Sequence, residues 1–168
     1  MGERSQIKRR RENSMDTRTA KNADPQGIAK ACAETMWAED RASQALGMKV
    51  EKITPGEATL SMTVRADMTN GHGICHGGFI FTLADSTFAF ACNTYDQRTV
   101  AQQCAVTFIA PVRQGEVLTA HAVERNREGR GGIYDVTVRD SKNNIVAEFR
   151  GHSRTIAGSL LAADQIKT

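Results

Sequence analysis

The chain has no stretch of about 18 or more apolar residues free of charge, because Asp85 interrupts the longest one, so no transmembrane helix is expected. Its basic N-terminus has no apolar run behind it, which argues against a secretory signal. The four cysteines, Cys32, Cys75, Cys92 and Cys104, form no CxxC pair and stand mostly among apolar residues. That is the usage of reduced, buried thiols rather than of a disulfide framework. No internal repeat is present. Together these absences point to a cytoplasmic protein with no membrane contact.

What is present suits one domain: 168 residues, 40% of them hydrophobic, make one core and are too few for two comfortable ones. The net charge of +3 arises entirely before residue 25, where seven Lys and Arg face four acids, and the remainder balances at fifteen of each. Lys8 to Arg11 (KRRR) can be read as a tether to nucleic acid or as a solvated leader; no aromatic or periodic pattern accompanies it, which favours the leader and no nucleic-acid partner. The expected organisation is a basic leader over 1–24, a single domain over 25–156 and a loose tail over 157–168.

Apolar residues at Ile28, Cys32, Met36 and Trp37 form one helical stripe, predicting a first helix over roughly 26–45 that ends at Gly47. The pattern then alternates. MKVEKI, Pro55-Gly56 and EATLSMTVR predict a hairpin, and a helix of about 18 residues is expected from Gly77. Four more alternating segments follow, over 100–110, 116–126, 131–140 and 144–156, with turns at Pro111–Gly115, Arg127–Gly132 and Ser141–Asn144. Connections this short demand antiparallel neighbours. A helix that is apolar nearly all round must be covered on most sides, which one curved antiparallel sheet can do.

The segment from Asn70 to Gly78, NGHGICHGG, carries ligand-type side chains in His72, Cys75 and His76. It lacks the second pair that a tetrahedral zinc site needs, so no metal is expected. It approaches GxGxxG without matching it and does not follow a strand, so a dinucleotide loop is also disfavoured. The glycines offer another use. Gly77 and Gly78 stand where the long helix begins, and the first amides of a helix have no internal acceptor, so they can hold an oxyanion at the positive end of the helix dipole. A residue without a side chain lets a substrate carbonyl approach the backbone.

Asp85 lies eight residues further on, with FIFTLA before it and FAFAC after it. A carboxylate in such surroundings needs a partner, a cavity or an interface. It is read either as a buried acid bonded to a neighbouring strand or as a nucleophile or general base for water. At 1.5 Å per residue Asp85 is about 12 Å along the helix from Gly77, too far for one carbonyl to reach both on the same helix. If both act on one substrate, the site needs a second chain.

NGHGICHGGFIFTLADSTFAFACN resembles the hotdog-fold acyl-CoA thioesterases, and within them the phenylacetate-degradation thioesterase family: an Asn, then HGG six residues on, then an Asp nine residues after the His. The agreement in element order covers roughly 30–156. The resemblance implies an α+β hotdog fold, a curved antiparallel sheet of five to six strands wrapped round one long central helix, in homodimers with a continuous sheet and commonly homotetramers. It implies hydrolysis of acyl-CoA, with phenylacetyl-CoA or its ring-hydroxylated forms as the expected substrates and no cofactor. By position, Asp85 would attack or activate water, the Gly77 amide would polarise the thioester carbonyl, His76 would support the loop and Asn70 would orient water or carboxylate. Asn70 can also be read as the turn residue of Asn70-Gly71, and His76 as a helix-entry residue bonding backbone. Gly78 and Phe81 are substrate-binding candidates beside Gly77. Arg127 and Arg130, between two strands, are candidates for the coenzyme phosphates, with a solvated turn as the other reading. Where some relatives use Ser or Thr as a polar assistant, this chain has AQQCAVT, with Gln102 or Gln103 in that neighbourhood. The competing function is a non-catalytic acyl-CoA-binding sensor module, which has no need of an isolated carboxylate beside the thioester.

Overall fold

A computed structural model of the chain describes residues 24–162. Six strands form one sheet: β1 (Lys49–Thr54), β2 (Glu57–Thr63), β3 (Thr99–Phe108), β4 (Val117–Glu128), β5 (Gly131–Arg139) and β6 (Ile145–Thr155). Their spatial order is β1-β2-β4-β5-β6-β3, and every neighbouring pair is antiparallel. Three α-helices, α1 (Pro25–Glu39), α2 (Arg41–Ala45) and α3 (Gly77–Cys92), and a short 3-10 turn over Ala66–Met68 accompany them among the described residues.

The single helix expected over 26–45 is two. Asp40 leaves the helical region at φ −80° and ψ 75°, and its carboxylate accepts from the Ser43 amide, so one residue ends α1 and caps α2. The start of α1 is fixed in the same way by Asp24, which accepts from the Gln26 and Gly27 amides with Pro25 as the first helical residue. The long helix is shorter than the expected 18 residues. Asn93 stops it by donating to the Ala89 carbonyl and bonding both the N–H and the carbonyl of Thr99. The turn expected over Arg127–Gly132 is narrower too, because β4 runs on to Glu128 and β5 begins at Gly131.

Helix α3 lies across the inner face of the sheet. Leu60 and Met62 of β2, Leu118 and Ala120 of β4, Tyr134 and Val136 of β5, and Phe149 of β6 are buried beneath it. Phe88 packs its ring against those of Tyr134 and Phe149, with centroids 5.5 and 5.8 Å apart. The approach is close enough that a Cβ on Gly151 would stand 2.9 Å from the Phe88 ring. Helix α1 packs along β1, and its Trp37 meets Phe90 of α3 with ring centroids 6.2 Å apart.

The basic leader expected over 1–24 lies outside the described residues except for Asp24, and so does the end of the tail. The first part of that tail is docked: Asp96 Oδ1 accepts from the Ser159 hydroxyl and from the amides of Leu160 and Leu161, and Leu161 is buried. Among the described residues no helix is long and apolar enough to cross a membrane.

Candidate active site

The loop before α3 is anchored by backbone bonds. The Cys75 amide donates to Val112, the His76 amide to Met68 and the Asn70 amide to Ile74. This brings Asn70, His76, Gly77, Gly78 and Phe81 together with Phe108 and Ile109 around an open, largely apolar cleft of about 690 Å³.

The residues of this loop divide the available donors unequally. His76 is the N-cap of α3, and its Nδ1 accepts from the Gly78 amide at 2.9 Å. An accepting Nδ1 leaves the neutral ring its proton on Nε2. Gly78, a predicted donor beside Gly77, therefore has its N–H engaged within the loop. The Gly77 N–H has no acceptor among the described residues. Phe108 lies over Gly77 so closely that a Cβ there would be 2.8 Å from Cζ of the ring. Asn70 does serve a turn, since its Oδ1 accepts from the His72 amide. It also lines the cleft. His72 is exposed, and among the described residues no three of His, Cys, Asp and Glu are grouped to hold a metal ion.

Asp85 does not line this cleft. It is half-buried on α3 facing β3, where Cys104 Sγ lies 3.7 Å from its Oδ1. Burial pushes its carboxyl above the ordinary range, and the Cys104 bond opposes that. Burial, with Asp85 beside it, pushes the Cys104 thiol up to about 11. Cys104 is the residue that the sequence reading missed. In an unbroken alternation Gln103 would face inward with Ala101, but the register shifts between Ala101 and Gln103. The extra residue resets the alternation.

The two halves of the expected site are thus separate within one chain. Gly77 is level with Phe108 and Asp85 with Cys104, four residues apart on β3, or about 13 Å at 3.3 Å per residue. The eight helical steps from Gly77 to Asp85 give about 12 Å, so the two measures agree.

Arg127 and Arg130 are further away. Arg130 donates to the carbonyl of Thr155, which pairs with Thr99, so the arginine hairpin sits at the start of β3 and the cleft at its end. Arg127 stacks over the Tyr95 ring at 3.8 Å and pairs with Glu124, which also accepts from the Tyr134 hydroxyl. Within one protomer the structure brings Asn70, His76, Gly77, Gly78 and Phe81 together and leaves Asp85, Arg127 and Arg130 apart from them.

A family model described as the thioesterase superfamily matches residues 72–147. The chain is 40% identical over 128 residues to acyl-coenzyme A thioesterase PaaI of Escherichia coli, covering 76% of this chain and 91% of the relative. The solved structure of the E. coli PaaI protein, from the phenylacetic acid degradation operon, superposes with a TM-score of 0.80 at 38% identity, over 81% of this chain and 99% of that one. A phenylacetic acid degradation protein PaaI from Thermus thermophilus, solved as a mutant, gives a TM-score of 0.66 at 40% identity, over 68% and 97%. The six-stranded antiparallel sheet around α3 is the hotdog fold, and the chain belongs to the thioesterase superfamily as a hotdog acyl-CoA thioesterase of the PaaI family.

Proposed function

We propose that this enzyme hydrolyses aryl-acetyl-CoA thioesters, phenylacetyl-CoA or its ring-hydroxylated forms, to the free acid and coenzyme A at a site completed by two protomers. One observation carries the reading: the Gly77 N–H stands without an acceptor among the described residues beside an apolar cleft, while the one carboxylate of α3, Asp85, is desolvated two turns further along. The amide supplies the donor that the thioester carbonyl needs as it gains negative charge. The raised basicity of Asp85 suits a group that takes a proton from water or attacks the carbonyl itself. His76 holds the loop through Gly78, Asn70 lines the cleft, and Phe81 with Phe108 supplies the aromatic wall for an aryl group.

The second chain enters through β3. This strand is paired only with β6 among the described residues, and its exposed Val100 and Phe108 border an open edge. Antiparallel pairing of two β3 strands about a two-fold axis continues the sheet. For the partner's Asp85 to come level with Gly77, the partner's Cys104 must oppose Phe108, which sets the axis near Val106. The same pairing carries the start of the partner's β3, and with it the hairpin of Arg127 and Arg130, to the cleft end. There Arg130, with only its Nε engaged among the described residues, is available for coenzyme phosphates. In this reading the working unit is a homodimer or a homotetramer of cytoplasmic location, with the catalytic domain over 25–156 between a leader and a tail.

The test is to follow thioester cleavage with phenylacetyl-CoA and medium-chain acyl-CoAs in the wild type, Asp85→Asn and Asp85→Ala. Loss of about 100-fold or more in kcat is expected for both variants. Undiminished hydrolysis in them removes Asp85 from the mechanism, and a fully active monomer on sedimentation removes the shared site.

A further inference from the structure

Asp85 has one side-chain donor among the described residues. The hydroxyls on its own helix are engaged elsewhere: Thr82 donates to the Gly78 carbonyl, Ser86 shares a hydrogen bond with Ser43, and Thr87 donates to Leu83. Only Cys104 reaches the carboxylate, at 3.7 Å from Oδ1, from the strand that faces this side of α3. Three features of the fold put it there. The bulge in β3 sets Ala101 opposite Ser153, Gln103 opposite His152 and Cys104 opposite Gly151, so the thiol and not an amide turns toward the helix. Gly151 has no side chain to compete for the space, which the Phe88 ring fills from the other direction. Lastly, Asp85 is fixed in height on α3 by the burial of Leu83, Ala84, Thr87 and Phe88 around it.

We propose that Cys104 is the positioning residue of the catalytic carboxylate, donating its S–H to Asp85 Oδ1 so that the other oxygen is presented to water or thioester. The inference rests on the role given to Asp85 above. It does not require the thiol to react. Burial and the neighbouring carboxylate push that thiol up to about 11, so it stays protonated across the working range and can act only as a donor toward the carboxylate. The other titratable group near Asp85 among the described residues is Cys92, on the same helix and buried, its thiol pushed up to about 12. Among the described residues no cation faces the carboxylate, so within one protomer the thiol is its single side-chain donor, and groups brought by a second protomer are left in place by a change at Cys104.

A sign follows. A hydrogen bond to the ionised carboxylate favours that form, so removing it leaves burial unopposed and raises the pH at which Asp85 loses its proton. The experiment compares pH profiles of kcat/KM for the wild type, Cys104→Val and Cys104→Ser, read by the loss of thioester absorbance so that protein thiols do not interfere. Val keeps the bulk without a donor, and Ser restores one. The acid limb is expected to move up by about half to one pH unit in Cys104→Val, with a loss below the limb of about three- to tenfold beyond any loss on the plateau, and to return to or below its wild-type position in Cys104→Ser. An unmoved limb in Cys104→Val overturns the inference, as does an equal loss at every pH that Ser fails to rescue. Asp85→Asn run alongside separates the two readings: if it stays fully active, the role of Asp85 falls first, whereas its inactivity beside an unmoved Cys104→Val limb overturns the role of Cys104 alone.

Discussion

Gly77 meets two demands that no other residue type meets together. Its amide is the first of α3 and has no acceptor among the described residues, and its missing side chain is the seat of the Phe108 ring. These demands can be separated by substitution. Proline is favoured at the first helical position, and His76 before it is already extended at φ −66° and ψ 132°, the geometry a residue preceding proline prefers. Gly77→Pro therefore removes the N–H with little backbone strain. Gly77→Ala adds the same Cβ and keeps the N–H. Both must push aside the Phe108 ring to the same extent, so that contact cancels when the two variants are compared with each other. In steady-state kinetics Gly77→Pro is expected to lose about 100- to 1,000-fold in kcat relative to Gly77→Ala. Equal activities would mean that the ring contact, not the amide, explains the glycine. The candidate residues at the head of α3 were legible in the sequence because a glycine pair at a helix start has a backbone meaning. The division of labour between Gly77 and Gly78 was legible only as one alternative, His76 as a helix-entry residue bonding backbone, and the ring orientation that places Nδ1 on the Gly78 amide decides it.

Helix α3 and strand β3 run side by side as two rulers with different spacings, and their match sets what Asp85 can face. Period and turn chemistry revealed the elements themselves, because apolar alternation and short Gly- or Asn-containing turns are local signals. The bulge in β3 was not legible. One extra residue in VAQQCAVTF leaves the alternation readable in either frame, and the choice is made by pairing with β6, which is distant in sequence. The break at Asp40 escaped for a related reason: its residues are good helix formers on both sides, and only the capping bond reveals the boundary. The seating of α3 on the sheet depends on Gly151, beneath the fully buried Phe88. Gly151→Ala is expected to lower stability by about 1–3 kcal/mol in urea unfolding through overpacking, because Phe88 is enclosed by Tyr134 and Phe149 and cannot yield. An unchanged midpoint would show that the helix can ride up on the sheet without cost, and the level agreement between Asp85 and Cys104 would then have no rigid basis.

At the scale of the whole molecule the decisive quantity is the separation of about 12 Å along α3 between the donor amide and the carboxylate. No rotamer of Asp85 spans it, so hydrolysis within a single protomer would leave one of the two groups idle. Mixed assemblies decide between a shared and a private site. Gly77→Pro and Asp85→Asn each disable both sites of their own homodimer. In a heterodimer of the two, a shared arrangement pairs the intact Gly77 of one chain with the intact Asp85 of the other, so one site works and the second carries both lesions. Unfolding and refolding equal amounts together gives heterodimers as half of the population, and with one working site in each, recovery should reach about a quarter of wild-type activity by symmetry. A private arrangement recovers nothing, because each chain lacks one of its own groups. Recovery that depends on subunit exchange, and that disappears when the β3 edge is blocked by Val106→Pro, which removes a backbone donor from the strand, would tie the shared site to that edge in particular.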